Sequence, residues 1–421
     1  MLKFKREKGD DKPIFPRLGT LSFVDFMFCC LNMAIGTGAL RLGTAFISGF
    51  LFSHLLNTFV AIVTLYSLKL YVLSAAYYQE NTFEDIWSHA FPKYTVFIPE
   101  ICSIVKPLQT VMSYTSFLQG SLVAILTQVI RLINPNSDDI ISRLGNFKML
   151  IGFLLVIVVW GPTSFCTNVR YNVYISYVSV SLFLIVSIYI IAQFVVSVNR
   201  DGFDPQHRFK LFDLKDHVTS SIMSFAFAYN LYPFPWPGLK HHKDPSMKSL
   251  SRTFIFSIIT CYFLYAIVGT FSYLTFFDTK TGSIIIDFYP SETFLDKLLI
   301  IIGNIFTFVY ILLTIPFRIN GCRYAILNAF YKKSEFPPDV WGPTGITVAL
   351  IALALANSDA EVRNIISSLG DVLSIILMFV SAVFYLRAYG TKNKLHLVGA
   401  ILEAIITLAA FVFIIYNNYI A

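Results

Sequence analysis

The stretch LNMAIGTGALRLGTAF, residues 31–46, lies inside an apolar run long enough to cross a bilayer, with Asn32 ahead of Gly36-Thr37-Gly38 and Arg41 after it. Glycine weakens a helix interior by roughly 0.5–1 kcal/mol relative to alanine, and an arginine at membrane depth costs about 2.5 kcal/mol or more. A spanning segment composed this way reads as a helix interrupted at Ile35-Gly36-Thr37-Gly38. Ala34 and Gly38 also form a small-xxx-small pair, so close packing by a neighbouring helix is the competing reading of this segment alone.

A second interruption occurs in SFAFAYNLYPFPWPGL, residues 224–239, where Pro233, Pro235 and Pro237 alternate. Each proline removes a backbone donor and clashes with the preceding turn, so no continuous helix passes through. Unpaired backbone survives in a membrane only where it is buried in protein or lines a cavity. Two broken helices at matching places in the two halves of a chain point to an inverted-repeat transporter with its site at the breaks.

The rest of the composition agrees with a membrane setting. Of 421 residues 56% are hydrophobic and 14% charged, with 41 Phe and 23 Tyr, and the mean hydropathy is +0.66. Soluble domains carry about 25% charged residues. The chain is therefore an all-α polytopic membrane protein, and its net charge of +7 reads as topology, not as nucleic-acid binding.

Apolar windows of about 20 residues place eleven transmembrane helices near 20–46, 49–78, 96–132, 148–166, 172–198, 218–238, 253–276, 293–330, 340–356, 363–388 and 395–417. Residues 1–19 form an N-terminal tail, 20–199 a first five-helix repeat, 218–388 a second, and 395–418 an eleventh helix outside the 5+5 core. Lys and Arg of the connecting segments concentrate on the side of the N-terminus, which predicts a cytosolic N-terminus. The basic start runs into a helix too long for a signal-peptide core, so no cleaved signal is expected.

The six cysteines fall in or beside apolar segments and form no C-x-x-C pair, so neither a metal site nor a redox site is expected. Adjacent His241 and His242 in a loop are expected to be solvated. The sequence contains no N-x-S/T sequon. It also contains no H-E-x-x-H, G-x-S-x-G or paired-carboxylate signature, which argues against an enzyme. Nothing resembles a repeated pore loop, so a channel is disfavoured.

At the two interruptions the chain resembles the amino acid/auxin permease family, within the amino acid–polyamine–organocation superfamily. Asn32-Met33-Ala34-Ile35-Gly36-Thr37-Gly38-Ala39-Leu40 follows that family's N-x-x-x-G-[ST]-G-[IL]-L pattern, and Leu42-Gly43-Thr44-Ala45-Phe46 partly keeps its L-P-Y-A-F ending. Phe225-Ala226-Phe227, Asn230, Pro235 and Lys243-Asp244-Pro245 follow the order of its helix 6 and K-D-P loop. Residues 273–290, the P-x-R segment at 316–326 and Ser113-Tyr114 extend the likeness from residue 20 to about 330. Departures are Arg41, where the family has a small residue, Gly43 in place of a proline, and a missing acid before the K-D-P loop.

The resemblance implies a LeuT-type fold and secondary transport of amino acids. A zwitterion then needs an anion site beside a cation site, and a broken helix offers free N–H groups on one side and free carbonyls on the other. On that logic Gly36, Thr37 and Gly38 present N–H groups to the carboxylate. The carbonyls near Ala34 and those of Phe225 to Ala228 face the amine. Tyr114, Phe227, Tyr229, Asn230 and Tyr232 are expected to shape the side-chain pocket, which suits a neutral side chain.

Asn32 is the coupling-ion candidate by resemblance to sodium-coupled relatives; an interhelical hydrogen bond is the alternative. Thr307 and Thr314 are further sodium-ligand candidates, although the family spacing from Pro316 falls on Val309. Proton coupling needs an intramembrane titratable group, for which Asp25, His54, Glu100, Asp371 and Glu403 are available. Asp25 lies in the half-helix leading to the break and reads either as a coupling group or as an interfacial carboxylate. Arg41 reads as an outer gate, as an attractor of anionic substrate, or as a snorkelling side chain.

Apart from a coupling Na+ or H+, no cofactor is expected. The expected partners are the amino-acid substrate and the bilayer, without nucleic acid or an obligate protein partner. The membrane is either the plasma membrane or that of a vacuole or lysosome. The competing function is a membrane amino-acid sensor that binds substrate without appreciable transport.

Overall fold

The computed structural model describes residues 19–40, 42–80, 82–134, 141, 143–165, 169–202, 210–214, 217–229, 231, 241–275, 294–331, 337–390 and 394–416. From the N-terminus its helices are α1 (Phe23–Ala34), α2 (Thr37–Leu40), α3 (Leu42–Ala45), α4 (Phe50–Tyr78), α5 (Phe83–Ala90), α6 (Phe97–Ile133), α7 (Lys148–Leu155) and α8 (Gly161–Ser164). They continue as α9 (Val169–Asp201), α10 (Val218–Ala228), α11 (Met247–Thr275), α12 (Phe294–Tyr331), α13 (Pro338–Ala356), α14 (Ala360–Tyr389) and α15 (Lys394–Ile415).

Among the described residues, eight of these helices (α4, α6, α9 and α11 to α15) have the length and apolar composition to cross a membrane. Three shorter apolar helical stretches are α1, α7 to α8, and α10. Helices satisfy their own N–H and C=O groups, which is the condition for sitting in hydrocarbon. A π-type turn over Val156–Trp160 joins α7 to α8 just ahead of Pro162, where the lost N–H disturbs the regular ladder.

α1 starts on a capping box: the Asp25 amide donates to Ser22 Oγ at 3.2 Å, and the Ser22 amide donates to Asp25 Oδ2 at 2.9 Å. It stops at Ile35, whose backbone is extended at ψ 102°. After α3 a short 3-10 turn ends at Gly49 with φ +110°, a conformation that favours glycine. A Cβ there would also lie 2.6 Å from the Leu211 carbonyl oxygen, because residues 210–214 pair with this turn through Phe50 N–H to Lys210 O at 2.7 Å.

In packing, α6 and α12 form the broadest interface, and α9 lies against α12 and α11. α1 sits between α9 and α11, while α10 leans on α3 and α14. α15 packs on α14 and more lightly on α4, with Ile401, Leu402, Ile405 and Val412 exposed on its other side. Buried tyrosines mark the centre, where Tyr114, Tyr229, Tyr265 and Tyr310 are all 1% exposed or less.

Two features differ from the sequence reading. His242 is not solvated: it is 1% exposed, stands edge-on to Phe26 at 5.2 Å, and its Nδ1 accepts the Asp244 amide at 3.0 Å. The cause is a clasp in which the Leu21 amide donates to His241 O and the Lys243 amide donates to Leu21 O, both at 2.8 Å. The chain leading into α1 is thereby pinned to the segment leading into α11.

The second is α5, an amphipathic helix between two spans that apolar windows pass over. Thr82 caps it by accepting the Asp85 amide at 3.1 Å. The T-x-x-D spacing at residues 82–85 is the local signal for it. Here burial pushes the Glu84 carboxyl up to about 7, opposed by a 2.5 Å hydrogen bond from Ser103 Oγ. The folded protein therefore binds this proton more tightly than the unfolded chain does, and its contribution is full below about pH 4.5 and lost as pH rises through about 7. The expected result is a melting temperature that declines across that window in wild type and declines less in Glu84→Gln, read by thermal denaturation of the purified protein.

Candidate substrate site at the helix break

The interruption comprises Ile35 and Gly36, after which helical backbone resumes at Thr37. The N–H groups that head a new helical stretch have no acceptor within it. Gly36 has no room for a side chain: a Cβ would fall 1.5 Å from the Tyr114 hydroxyl oxygen. At Gly38 a Cβ would meet Phe227 Cδ1 at 2.8 Å and Ala228 Cα at 3.0 Å. Both glycines thus let other backbone and rings approach the break, and the end of α10 is what approaches Gly38.

Several carbonyls of the break are held by side chains from surrounding helices. Tyr310 of α12 donates to Gly36 O at 2.7 Å, and Tyr265 of α11 donates to Ala228 O at 2.8 Å. Arg318, 6% exposed, donates through its guanidinium to Met33 O. The Tyr229 amide closes on Phe225 O at 3.0 Å, and its hydroxyl donates to Asn57 Oδ1 of α4 at 2.6 Å. Each carbonyl oxygen has two lone pairs, so a held carbonyl keeps capacity for a second donor. The result is a ring of tyrosine hydroxyls on α6, α10, α11 and α12 around the ends of α1 and α10.

Asn32 lies one turn before the break and is fully buried. Its Oδ1 accepts from Thr314 Oγ1 at 3.2 Å and its Nδ2 donates to Ser176 Oγ at 3.2 Å, while Ser179 Oγ is 3.0 Å from Thr314 Oγ1. The structure so joins Asn32 and Thr314 in one cluster of oxygens between α1, α9 and α12. Thr307 stands two turns earlier on α12 and donates to Gly303 O at 2.9 Å. Asp25 is at the opening of α1, where Tyr177 Oη donates to it at 2.8 Å. Among the described residues no group of three or more His, Cys, Asp and Glu side chains could hold a metal.

Ala34, Tyr114, Phe225, Phe227, Ala228 and Tyr229 are all buried around the two ends. Asn230, Tyr232, Arg41, the prolines at 233, 235 and 237, and the Thr37 side chain lie outside the described residues. Sequence reading passed over Tyr265, Tyr310, Arg318 and Lys106. Lys106 Nζ stands 4.4 Å from the Phe227 ring centre, accompanied by Gln109 and Asp371. A signal existed for this group: residues 106, 109, 110, 113 and 114 are polar at helical spacing on one face of a membrane span.

The pattern of the family described as "Transmembrane amino acid transporter protein" matches residues 19–420. The chain belongs to that family. It is an integral, multi-pass membrane protein whose family and relatives are transporters, not enzymes. Vacuolar amino acid transporter 5 of Saccharomyces cerevisiae (strain ATCC 204508 / S288c) is 26% identical over an alignment of 323 residues that covers 73% of this chain and 66% of the yeast protein. The match thus spans just under two thirds of that relative's length.

Two solved structures share the fold. One is Mhp1, a nucleobase-cation-symport-1 family transporter in a closed conformation with bromovinylhydantoin bound, with a TM-score of 0.59 at 12% identity, covering 98% of this chain and 96% of that one. The other is MhsT in complex with L-phenylalanine, with a TM-score of 0.61 at 12% identity, covering 94% and 98%. The chain therefore has a LeuT-type fold.

Proposed function

We propose that this protein is a secondary active transporter of amino acids, neutral ones above all, which works by alternating access and holds its substrate where α1 and α10 stop. The observation that carries the reading is the break at Ile35–Gly36, set against the end of α10 through Gly38 and ringed by tyrosine hydroxyls. The substrate carboxylate meets the N–H groups of Gly36, Thr37 and Gly38, and the ammonium meets carbonyls near Ala34 and of Phe225 to Ala228. Main-chain recognition of the shared part leaves selectivity to side chains, among them Tyr114, Phe227, Tyr229 and Asn230.

Counting the segments expected at 20–46, 148–166 and 218–238 as spans brings the helices to eleven. Residues 20–199 and 218–388 then form two five-helix repeats, with α15 outside them. The N-terminus is cytosolic, and Arg41 serves as an outer gate. The yeast relative's name supports a vacuolar membrane. The oxygens around Asn32 and Thr314 support a sodium site, whereas Asp25 is the carboxylate on α1 for a proton-coupled cycle.

Uptake of labelled neutral amino acids into proteoliposomes tests this, with an inward sodium gradient, a proton gradient, or neither. Accumulation under one gradient is the expected result and names the ion. Exchange without accumulation would mean a facilitator or an antiporter, and binding without flux would turn the reading to a sensor.

A further inference from the structure

The polar corner beside Phe227 is not used by main-chain recognition of a zwitterion. Lys106 is 1% exposed and Asp371 8%, and their charged atoms stand 3.9 Å apart. A tight charge-assisted hydrogen bond spans about 2.7–2.9 Å, so the direct contact within this pair is longer than that. Gln109 accepts from Lys106 Nζ at 3.2 Å, yet its own Nε2 is fully buried with no hydrogen-bond partner among the described residues. Gly370, next to Asp371, gives Gln109 its place, since a Cβ there would lie 2.5 Å from Gln109 Cγ.

Burying two charges and an orphan donor is costly, and an apolar replacement often packs as well. A ligand acceptor would meet the Gln109 donor. The Phe227 ring touches both the Gly38 position and the Lys106 ammonium, so the corner adjoins the break. We propose that Lys106, Gln109 and Asp371 form the subsite for the side chain of the transported amino acid, selecting an uncharged side chain that both accepts and donates hydrogen bonds, an amide above all. This rests on the amino-acid reading of the break.

The carbonyl of an amide accepts from Gln109 Nε2 or Lys106, and its NH2 donates to Asp371. A carboxylate side chain faces repulsion from Asp371, a cationic one from Lys106, and an aliphatic one leaves the Gln109 donor unmet. The balanced pair thus excludes both charge classes, and removing either member tips it in a known direction.

The test is uptake of labelled glutamine by the full chain in proteoliposomes, competed by leucine, glutamate and arginine. Wild type is expected to prefer glutamine at least tenfold over each. Lys106→Met shifts the preference at least tenfold toward arginine, Asp371→Asn at least tenfold toward glutamate, and Gln109→Leu toward leucine. A neutral Lys106→Met/Asp371→Asn double variant, which removes both charges and keeps the Gln109 donor, shows neither shift and still takes glutamine over leucine. An unchanged rank order in the single variants, with rates lowered equally for all substrates, would overturn the subsite and leave a structural pair. A double variant that shifts toward arginine or glutamate as strongly as a single one would overturn it as well. Wild type that neither carries nor binds any of the four would instead remove the amino-acid reading itself, and the subsite with it.

Discussion

Gly36→Ala is expected to abolish uptake, by at least about tenfold, while the protein still inserts and folds. The added Cβ would stand 1.5 Å from the Tyr114 hydroxyl oxygen and 2.6 Å from its Cζ, both far inside van der Waals contact. Overpacking of this kind costs about 1–3 kcal/mol in a close-packed interior. Relief requires Tyr114 to withdraw or the Ile35–Gly36 backbone to move away from Tyr310, whose hydroxyl donates to Gly36 O. Either motion distorts the segment proposed to bind substrate. A Tyr114→Leu partner removes both colliding atoms. The double variant is therefore expected to recover thermal stability beyond the sum of the single changes, a coupling that additive behaviour would contradict.

Arg318→Met is expected to cost the most stability of any change near the break, about 2–4 kcal/mol. The guanidinium is 6% exposed and donates to Met33 O, one of the carbonyls left without an intrahelical donor where α1 stops. Hydrogen bonds to charged groups contribute about 1.5–3 kcal/mol each, and a cation at a helix C-terminus adds up to roughly 2 kcal/mol when partly buried. Methionine fills a similar length without a donor, so the end of α1 loses one of its anchors to α12. Thermal denaturation in detergent reads the loss. A melting temperature equal to wild type would show that Met33 O is satisfied some other way.

The parts of the molecule legible in the sequence are those decided locally. The span expected at 49–78 is α4 at Phe50–Tyr78, and the one expected at 96–132 is α6 at Phe97–Ile133. Long apolar runs fix such elements without reference to anything else in the chain. The break at Gly36 was legible for the same reason, since glycine acts on the backbone where it stands. The other break begins where α10 stops at Ala228, and its proline run lies outside the described residues.

What the sequence hid depends on which helices meet. Tyr310 reaches Gly36 O across 274 residues, and no spacing rule pairs them. Asp371 reads alone as an intramembrane carboxylate, a candidate for carrying a proton. Only the packing of α14 on α6 sets it beside Lys106. His242 reads as a solvated loop histidine until Leu21 is seen to pair with its neighbours. The α5 helix was hidden differently: its capping signal is explicit, but its length falls below any membrane window.

The central claim is that the interrupted helices hold an amino acid that the protein then moves. The measurement that tests it most directly is proteoliposome uptake of labelled neutral amino acids by wild type and Gly36→Ala, inserted in equal amounts. The account predicts gradient-driven accumulation by wild type and none above background by the variant. Equal accumulation by the two, or saturable binding to wild type without any flux, would contradict it.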